Sequence, residues 1–416
     1  MENKAIQKSD AKQLIAGFLV FLFPFICLIA RSGVSIASFA FLLTALAWWR
    51  PARDAFVRAW PEVRWVVLAF GAWFLYNAAL YLLGSDRRLS DVEYPTRMFF
   101  SCAAMLVVLV AHPSHRTFLA GVAAGAVAGA IFVAYQRLAL GIDRPGGLLN
   151  AITFGDIALT LGLVAIAAAT ELRSKRHAAV LVTGAIAGLA GSMLTGSRGG
   201  WIALAVAVLV FLRYSVVVRN RMVIALASAA VVMFGVAYAV PETGVRARIE
   251  EGLLDVREYR AGGEVNTRVG TRLELWKAAG ILIEERPWFG RQDAEVRSRM
   301  AELVKEGKLD DAVLPLEHLH NDSLQVMATG GVFGLAIWLM VLAAPLVFFV
   351  RQLREAACTS RQRFALALAG LVVVTSYASF GLSEVIFWSA GGSLFYSLTV
   401  FLLIGFSLNA KDNHEI

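Results

Sequence analysis

The chain has 416 residues, of which 58% are hydrophobic and only 17% are charged, and its formal net charge is +8. Soluble domains are about half apolar and a quarter charged, so this composition excludes an ordinary soluble protein. In a membrane protein, a positive balance reflects Lys and Arg in the cytoplasmic loops, and it does not indicate nucleic acid as a partner. Apolar runs of roughly 17 to 25 residues recur along the chain and predict an all-α polytopic membrane protein.

These apolar runs predict about twelve transmembrane helices. Nine precede a long polar segment: 14–30, 33–49, 63–83, 97–111, 117–140, 150–170, 178–195, 200–218 and 222–240. Three follow it: 322–350, 363–382 and 385–408. We therefore divide the chain into 1–240 with helices 1–9, a loop domain over 241–321, and 322–416 with helices 10–12 and a tail.

Basic residues predict the orientation of these helices. Lys and Arg concentrate in alternate loops, which the positive-inside rule assigns to the cytoplasm. Both termini then lie in the cytoplasm, and segment 241–321 lies on the opposite, external face. Within this segment, Val269, Leu273, Trp276 and Ile283 predict one amphipathic helix, and Val296, Met300, Leu303 and Val304 predict another.

Two histidines, His318 and His320, stand directly before the tenth predicted span, and Asn321 follows them. An imidazole titrates near neutral pH and can take a proton from a hydroxyl group. Polar groups are costly at the edge of a bilayer, which favours a functional role. The alternative is a helix cap by Asn321 with incidental histidines. The spacing does not decide which of the two histidines would act.

Arginines occur in three further polar clusters on the predicted external face. Arg198 lies in the turn TGSRGG, and its guanidinium offers a planar fork of donors suited to phosphate. Arg268 and Arg272 are four residues apart in TRVGTRLELW, which would place two like charges on one helix face around an anion. Arg144 lies in the turn GIDRPGGLLN.

Each of these arginines also has a simpler explanation. Arg198 could reach toward lipid headgroups from its turn. Glu264 and Glu274 could pair with the two arginines of TRVGTRLELW. Arg144 could belong to an ordinary turn.

Two carboxylates, Asp156 and Glu384, fall within apolar runs and are expected to face a polar interior. Both lie toward the external ends of their helices, so they could reach one pocket or pair with a buried arginine. His318 and His320 are two residues apart and do not share a helix face, so we predict no metal site.

Several of these elements together resemble the O-antigen ligases. Residues His320 and Asn321, nine further residues, then Gly331 and Gly334 match the ligase-type pattern His-Asn-x9-Gly-x-x-Gly. The turns TGSRGG and RPGGLLN, and the RLELW element with ERPWFG at 285–290, also resemble family elements, although Arg291 and Gln292 stand where the family often has a second glycine. The resemblance covers roughly residues 140 to 350.

This resemblance implies a GT-C-like fold with one long helical periplasmic loop in the bacterial cell inner membrane. It implies transfer of O-antigen from undecaprenyl diphosphate to lipid A–core, an inverting reaction that needs no metal or nucleotide cofactor. The substrates would be these two glycolipids, among inner-membrane lipids. We expect His320, Arg198 and Arg272 to be catalytic, and Arg144, Arg268, His318 and Asn321 to bind substrate.

Two other classes of function stay open. An O-antigen polymerase or a protein O-oligosaccharyltransferase would use the same fold with another acceptor. A transporter is a weaker alternative, because transporters have related halves and charges near the middle of the bilayer, whereas here the polar motifs lie at one face.

Overall fold

The structure, a computed structural model, describes residues 2–84, 88–171, 174–197, 199–218, 245–357 and 359–412, with isolated positions between 228 and 239. These residues are almost entirely helical, and they contain no β-strand. The first nine helices are α1 (Glu2–Ile26), α2 (Gly33–Ala47), α3 (Trp49–Leu83), α4 (Ser90–Phe100), α5 (Cys102–Ala111), α6 (His115–Leu138), α7 (Ala151–Ala168), α8 (Lys175–Leu194) and α9 (Gly199–Val218).

Six further helices follow along the described residues: α10 (Val245–Arg260), α11 (Gly270–Glu285), α12 (Asp293–Lys305), α13 (Asp322–Ala356), α14 (Arg361–Phe380) and α15 (Ala390–Asp412). Short 3₁₀ turns occur at Ala169–Glu171, Asp311–Val313 and Ile386–Trp388.

Eight of the described helical stretches are long and apolar enough to cross a membrane, and two shorter apolar helices accompany them. The protein is therefore an all-α polytopic membrane protein, as predicted. The predicted span 222–240 falls mostly outside the described residues, so the total of about twelve stays a prediction. Two helices extend before their predicted spans: α3 already begins at Trp49, and α4 begins at Ser90 and continues into α5 with a short break at Ser101.

Helices α7, α14 and α15 form the centre of the bundle. The apolar part of α14 is 89% buried and that of α15 is 94% buried, whereas the corresponding part of α3 is 28% buried. A helix that is apolar on all sides can be surrounded by other helices, and α14 and α15 have this composition. The two central helices therefore hold the turn between them, residues 381–389, in a fixed place.

Small residues let α6 lie directly against α1. A Cβ atom on Gly121 would be 2.4 Å from the carbonyl oxygen of Phe21, and one on Gly125 would be 2.0 Å from that of Pro24. No larger side chain fits these positions, so the glycine-rich face of α6 packs closely against α1.

The segment that carries α10, α11 and α12 has a hydrophobic cluster of its own, which also takes in Leu319 and the start of α13. The face predicted for α12 is confirmed, because Val296, Met300 and Leu303 are buried. The face predicted for α11 is confirmed only in part, because Trp276 and Ile283 are partly buried against this cluster. The fully buried side of α11 carries Leu275, Ala278, Ala279 and Leu282. Apolar residues occur on both sides of α11, so periodicity alone did not select the buried one.

Candidate active site

The histidine segment is attached to the turn that follows α14. Asn321 caps α13, because its Oδ1 accepts a hydrogen bond from the backbone N–H of Leu324 at 3.0 Å. Its Nδ2 donates to the carbonyl oxygen of Leu382 at 3.0 Å. The backbone N–H of Asp322 donates to the carbonyl oxygen of Gly381 at 2.8 Å. Asn321, predicted to bind substrate, thus uses both ends of its amide to hold the site together.

A left-handed backbone at His320 shapes this segment. Its φ angle is 49°, a value uncommon outside glycine that costs conformational energy unless the surroundings hold it. The buried residue before it, Leu319, donates its N–H to Oε1 of Gln325 at 2.9 Å. The rings of His318 and His320 meet edge to face, with centroids 4.4 Å apart. The backbone conformation therefore brings the two imidazoles side by side.

Glu384 is the shared partner of the groups that the sequence singled out. Its Oε2 lies 3.2 Å from Nδ1 of His320, and its Oε1 lies 3.9 Å from Nε2 of His318. The guanidinium of Arg272 on α11 lies 4.0 Å from the same carboxylate. Sequence alone indicated that Glu384 faces a polar interior, and the structure identifies the partners it has there.

The protonation of this cluster follows from its contacts. Burial raises the pKa of Glu384, but the hydrogen bond and charge of His320 outweigh it, and the net result is a lowered pKa. Burial, then the charge of His320, lowers the pKa of His318, while the charge of Glu384 opposes the shift. At neutral pH the cluster therefore contains an ionised carboxylate and a neutral His318.

This arrangement prepares His320 to accept a proton. In the neutral ring of His320, an Nδ1–H that donates to Glu384 leaves Nε2 without a proton and with a lone pair. Among the described residues, Nε2 of His320 has no hydrogen-bond partner. A carboxylate that fixes the tautomer of a histidine in this way is the usual support of a general base.

The same three side chains have a geometry that would admit a metal ion. One ligand atom each from His318, His320 and Glu384 lies within 4.8 Å of the others. The positive charge of Arg272 beside the carboxylate opposes a cation there. The expectation that the protein needs no metal stays a prediction.

Arg268 does not form the predicted helical pair with Arg272. Helix α11 begins only at Gly270, whose N–H donates to the side chain of Thr267, so Arg268 precedes the helix and is exposed. Nor is Glu274 the partner of these arginines. It is buried and accepts hydrogen bonds from Tyr259 Oη, Lys277 Nζ and the N–H of Asp310.

The turn TGSRGG lies beside the Glu384 turn, although Arg198 itself is outside the described residues. A Cβ atom on Gly199 would lie 2.8 Å from Oγ of Ser383, the residue before Glu384. Asp156 of α7 is 1% exposed, and a Cβ on Gly200 would lie 3.8 Å from its Oδ1. Arg144 is exposed in the turn between α6 and α7, without a described contact to the histidine cluster.

The two glycines of the His-Asn-x9-Gly-x-x-Gly pattern shape α13. Gly331 has φ 64°, which breaks the helix, and a Cβ there would lie 2.2 Å from the carbonyl oxygen of Trp288. Around the break, the N–H of Val332 donates to the carbonyl oxygen of Pro287, and the N–H of Arg291 donates to that of Ala328, both at 2.8 Å. The break thus receives the loop that contains ERPWFG. In the sequence, Gly331, Gly334 and ERPWFG stood out only as motifs, and the contact of Gly331 with ERPWFG could not be predicted.

Residues 183–339, which contain the TGSRGG turn, Arg272 and the histidine segment, match the family described as O-antigen ligase. This part of the chain is therefore similar to the O-antigen ligases. An uncharacterized protein of Haemophilus influenzae is 22% identical over 91% of this chain and 94% of its own length. The similarity of residues 183–339 to O-antigen ligases suggests a glycosyltransferase-like enzyme with lipid-linked polysaccharide substrates in a membrane.

Proposed function

We propose that this protein transfers O-antigen polysaccharide from undecaprenyl diphosphate to the lipid A–core oligosaccharide, on the periplasmic face of the bacterial inner membrane. The observation that carries the proposal is the convergence of His320 and Arg272 on Glu384, from segments that are far apart along the chain. One imidazole with a fixed tautomer and one guanidinium are the groups that such a transfer needs.

His320 activates the acceptor. Its Nε2 takes the proton of the attacking hydroxyl group while the hydroxyl oxygen forms a bond to the anomeric carbon of the donor. Attack occurs on the face opposite the diphosphate, so the configuration at that carbon inverts. Glu384 stabilises the imidazolium that forms, and His318 lies beside it to contact the acceptor.

Arginines stabilise the leaving group. The bond between the anomeric carbon and the diphosphate oxygen breaks, and its electron pair leaves with undecaprenyl diphosphate, whose negative charge grows. A guanidinium has five N–H donors, so Arg272 can face Glu384 and also donate to phosphate oxygens. Donors aimed at developing charge lower the barrier more than they strengthen ground-state binding. Arg198 is assigned the same role, and Arg144 and Arg268 bind the donor.

A direct test uses purified protein, undecaprenyl-diphosphate-linked O-antigen and lipid A–core. We expect His320→Ala and Arg272→Ala each to lower the transfer rate by about 10² or more. The matched control is His177→Ala, an exposed histidine on α8. Transfer should also survive treatment with a chelator.

Acceptor choice separates this proposal from its nearest alternatives. Offering a second lipid-linked glycan or a Ser/Thr-containing peptide in place of lipid A–core tests the polymerase and the protein glycosyltransferase. If transfer to either of these molecules is faster than transfer to lipid A–core, that molecule is the acceptor. Normal decoration of lipid A–core by the His320 and Arg272 variants would show that the site itself is wrong.

A further inference from the structure

A second concave site opens beside the histidine cluster, between α3, α4, α13 and the turn 381–389. It is a narrow cleft with an empty volume of about 530 Å³, including its open mouth. Its mostly apolar lining with a few polar groups matches small-ligand sites in general. None of the residues assigned above to transfer chemistry lines it.

Two kinds of side chain line this cleft. Trp73 of α3, Tyr94 of α4 and Trp388 of the turn present aromatic rings. Asn77, Asp91 and Asp293 present amide and carboxylate groups. The helical spacing explains part of this grouping, because Trp73 and Asn77 are four residues apart on α3, and Asp91 and Tyr94 are three apart on α4. Aromatic faces pack against C–H groups, and carboxylates accept hydrogen bonds from hydroxyl groups.

Trp338 of α13 gives an independent indication of a ligand. It lines the cleft and is 3% exposed, and its indole Nε1 has no hydrogen-bond partner among the described residues. A buried N–H group without a partner is costly, so such a group calls for an explanation. An oxygen atom of a bound ligand would supply the missing acceptor.

The cleft is joined to the histidine segment by one buried side chain. Nε2 of Gln325 donates to Oδ1 of Asp293 on the cleft wall at 3.2 Å, and Oε1 of Gln325 accepts from the N–H of Leu319. Leu319 stands between His318 and His320. In addition, Trp388 follows Glu384 by four residues in the same turn. A ligand in the cleft would therefore lie next to the reacting groups and contact elements that hold them.

The charge of the cleft differs from that of the transfer site. Asp91 supplies negative charge, and no Lys or Arg is among the described residues that line the cleft. A phosphate or diphosphate would be repelled there, whereas the hydroxyl groups of a neutral sugar would be hydrogen-bonded. The diphosphate therefore fits beside Arg272, and a ligand without charge fits the cleft.

We propose that this cleft is a subsite for an uncharged sugar residue of a glycan substrate. The assignment to a substrate rests on the proposed transfer of a glycan, although sugar binding itself does not. The aromatic rings pack against the flat face of the pyranose ring, and Asn77, Asp91 and Asp293 bind its hydroxyl groups. The sugar belongs either to the lipid-linked donor or to the acceptor, and these two sources share the same chemistry.

Binding is tested first, without any transfer reaction. Purified full-length protein is titrated with methyl α-D-glucopyranoside, methyl α-D-galactopyranoside and N-acetylglucosamine by saturation-transfer NMR, with glucose 6-phosphate as the charged counterpart. We expect at least one neutral sugar to bind and glucose 6-phosphate to bind more weakly. Trp388→Ala and Asp91→Asn should each weaken binding of the neutral sugar by about fivefold or more, the loss expected for one net hydrogen bond or contact.

Matched variants make this result decisive. Asp311→Asn removes a carboxylate that is exposed away from the cleft, and it should bind sugar like the wild type. Asp91→Asn keeps the size of the side chain, so it separates lost recognition from lost folding. If no neutral sugar binds better than glucose 6-phosphate, or if Trp388→Ala and Asp91→Asn bind as well as Asp311→Asn, the proposal is wrong.

Kinetics then identify the source of the sugar. We expect Asp91→Asn to raise KM about fivefold for only one of the two substrates, with little change in kcat. A raised KM for the lipid-linked donor assigns the cleft to the donor glycan, and a raised KM for the acceptor assigns it to the acceptor. If KM is unchanged for both substrates, the cleft does not bind a substrate of the transfer reaction. His320→Ala should bind the neutral sugar normally while losing transfer, so failure of the transfer chemistry and failure of the cleft can be told apart.

Discussion

Two histidine–carboxylate–arginine clusters lie at opposite ends of α14, about 30 Å apart by the helix rise. At one end, His115 binds Glu171 through Nε2 at 2.8 Å and meets Nε2 of Gln362 through Nδ1 at 3.0 Å, with Arg116 3.8 Å from Glu171. At the other end, the described hydrogen bond of His320 uses Nδ1 alone. The two clusters have the same residue types and differ in how many imidazole nitrogens are already used.

Under the proposed function, this difference separates a structural link from a reactive group. His115 joins α6, the turn at Ala169–Glu171 and α14, and neither of its nitrogens remains for a substrate. His320 has one nitrogen bonded to Glu384, and the other has no partner within the described part of the chain and could accept a proton. Residue types alone therefore do not distinguish the two clusters, whereas the hydrogen bonds of their imidazole nitrogens do.

The largest expected effect comes from Glu384→Gln. An amide in place of the carboxylate keeps the shape, but it can donate to Nδ1, which favours the tautomer with the proton on Nε2. We expect the transfer rate to fall by about 10² to 10⁴, the range attributed to general acid–base catalysis. Steady-state transfer assays on purified protein measure this change.

The matched variant at the other end of α14 is Glu171→Gln. It removes the charge from the link to His115, so we expect a lower Tm and an unchanged transfer rate per folded molecule. Equal losses of transfer in the two variants would show that the two clusters do not differ in the way described.

Arg272→Lys should have the next largest effect. Lysine keeps the positive charge, but it loses the planar fork that binds phosphate oxygens in pairs. We expect the rate to fall by about tenfold, which corresponds to roughly 1.4 kcal/mol of transition-state stabilisation. Arg286→Lys, in an exposed ion pair with Glu295, is the control in the same segment. A full rate in Arg272→Lys would restrict Arg272 to an electrostatic role.

Sequence predicted the fold class because transmembrane helices depend on local composition, which can be read directly. It also singled out His320, a polar group just before an apolar run, and Arg272, through its spacing and motif in the loop segment. The roles of both residues stay predictions. It did not find the role of Glu384, since the contact joins residues 64 positions apart. The predicted helical pairing of Arg268 with Arg272 was wrong for a local reason. The side chain of Thr267 accepts a hydrogen bond from the N–H of Gly270, where α11 begins, two residues after Arg268.

Gly331→Ala tests whether the break in α13 holds the reactive end in place. The new Cβ would meet the backbone of Trp288, and φ 64° is unfavourable for alanine, so both effects destabilise. We expect a loss of stability of roughly 1 to 3 kcal/mol, measured as a lower Tm in detergent. Gly280→Ala in α11 is the control. No described atom lies within 4 Å of its Cβ, and alanine favours a helix, so Tm should stay equal or rise. A stable Gly331→Ala protein would mean that the loop 287–291 does not depend on this break.

The smallest expected effect is the dependence of stability on pH that arises from His318. Its pKa lies below the ordinary value of 6.5, so the folded state prefers the neutral ring. The contribution of His318 is therefore complete above pH 6.5 and is lost as the pH falls below that value, because the unfolded chain then binds the proton more readily. The pKa of Glu384 lies below its ordinary value of 4.5, so the stability that Glu384 contributes is lost only as the pH falls below 4.5. The loss from His318 therefore begins at a higher pH than the loss from Glu384. His318→Gln should flatten the fall in Tm between pH 6.5 and pH 5 by a few degrees at most, and leave it unchanged above pH 7. If His318→Gln leaves the slope of Tm against pH unaltered, the folded state does not prefer the neutral ring of His318.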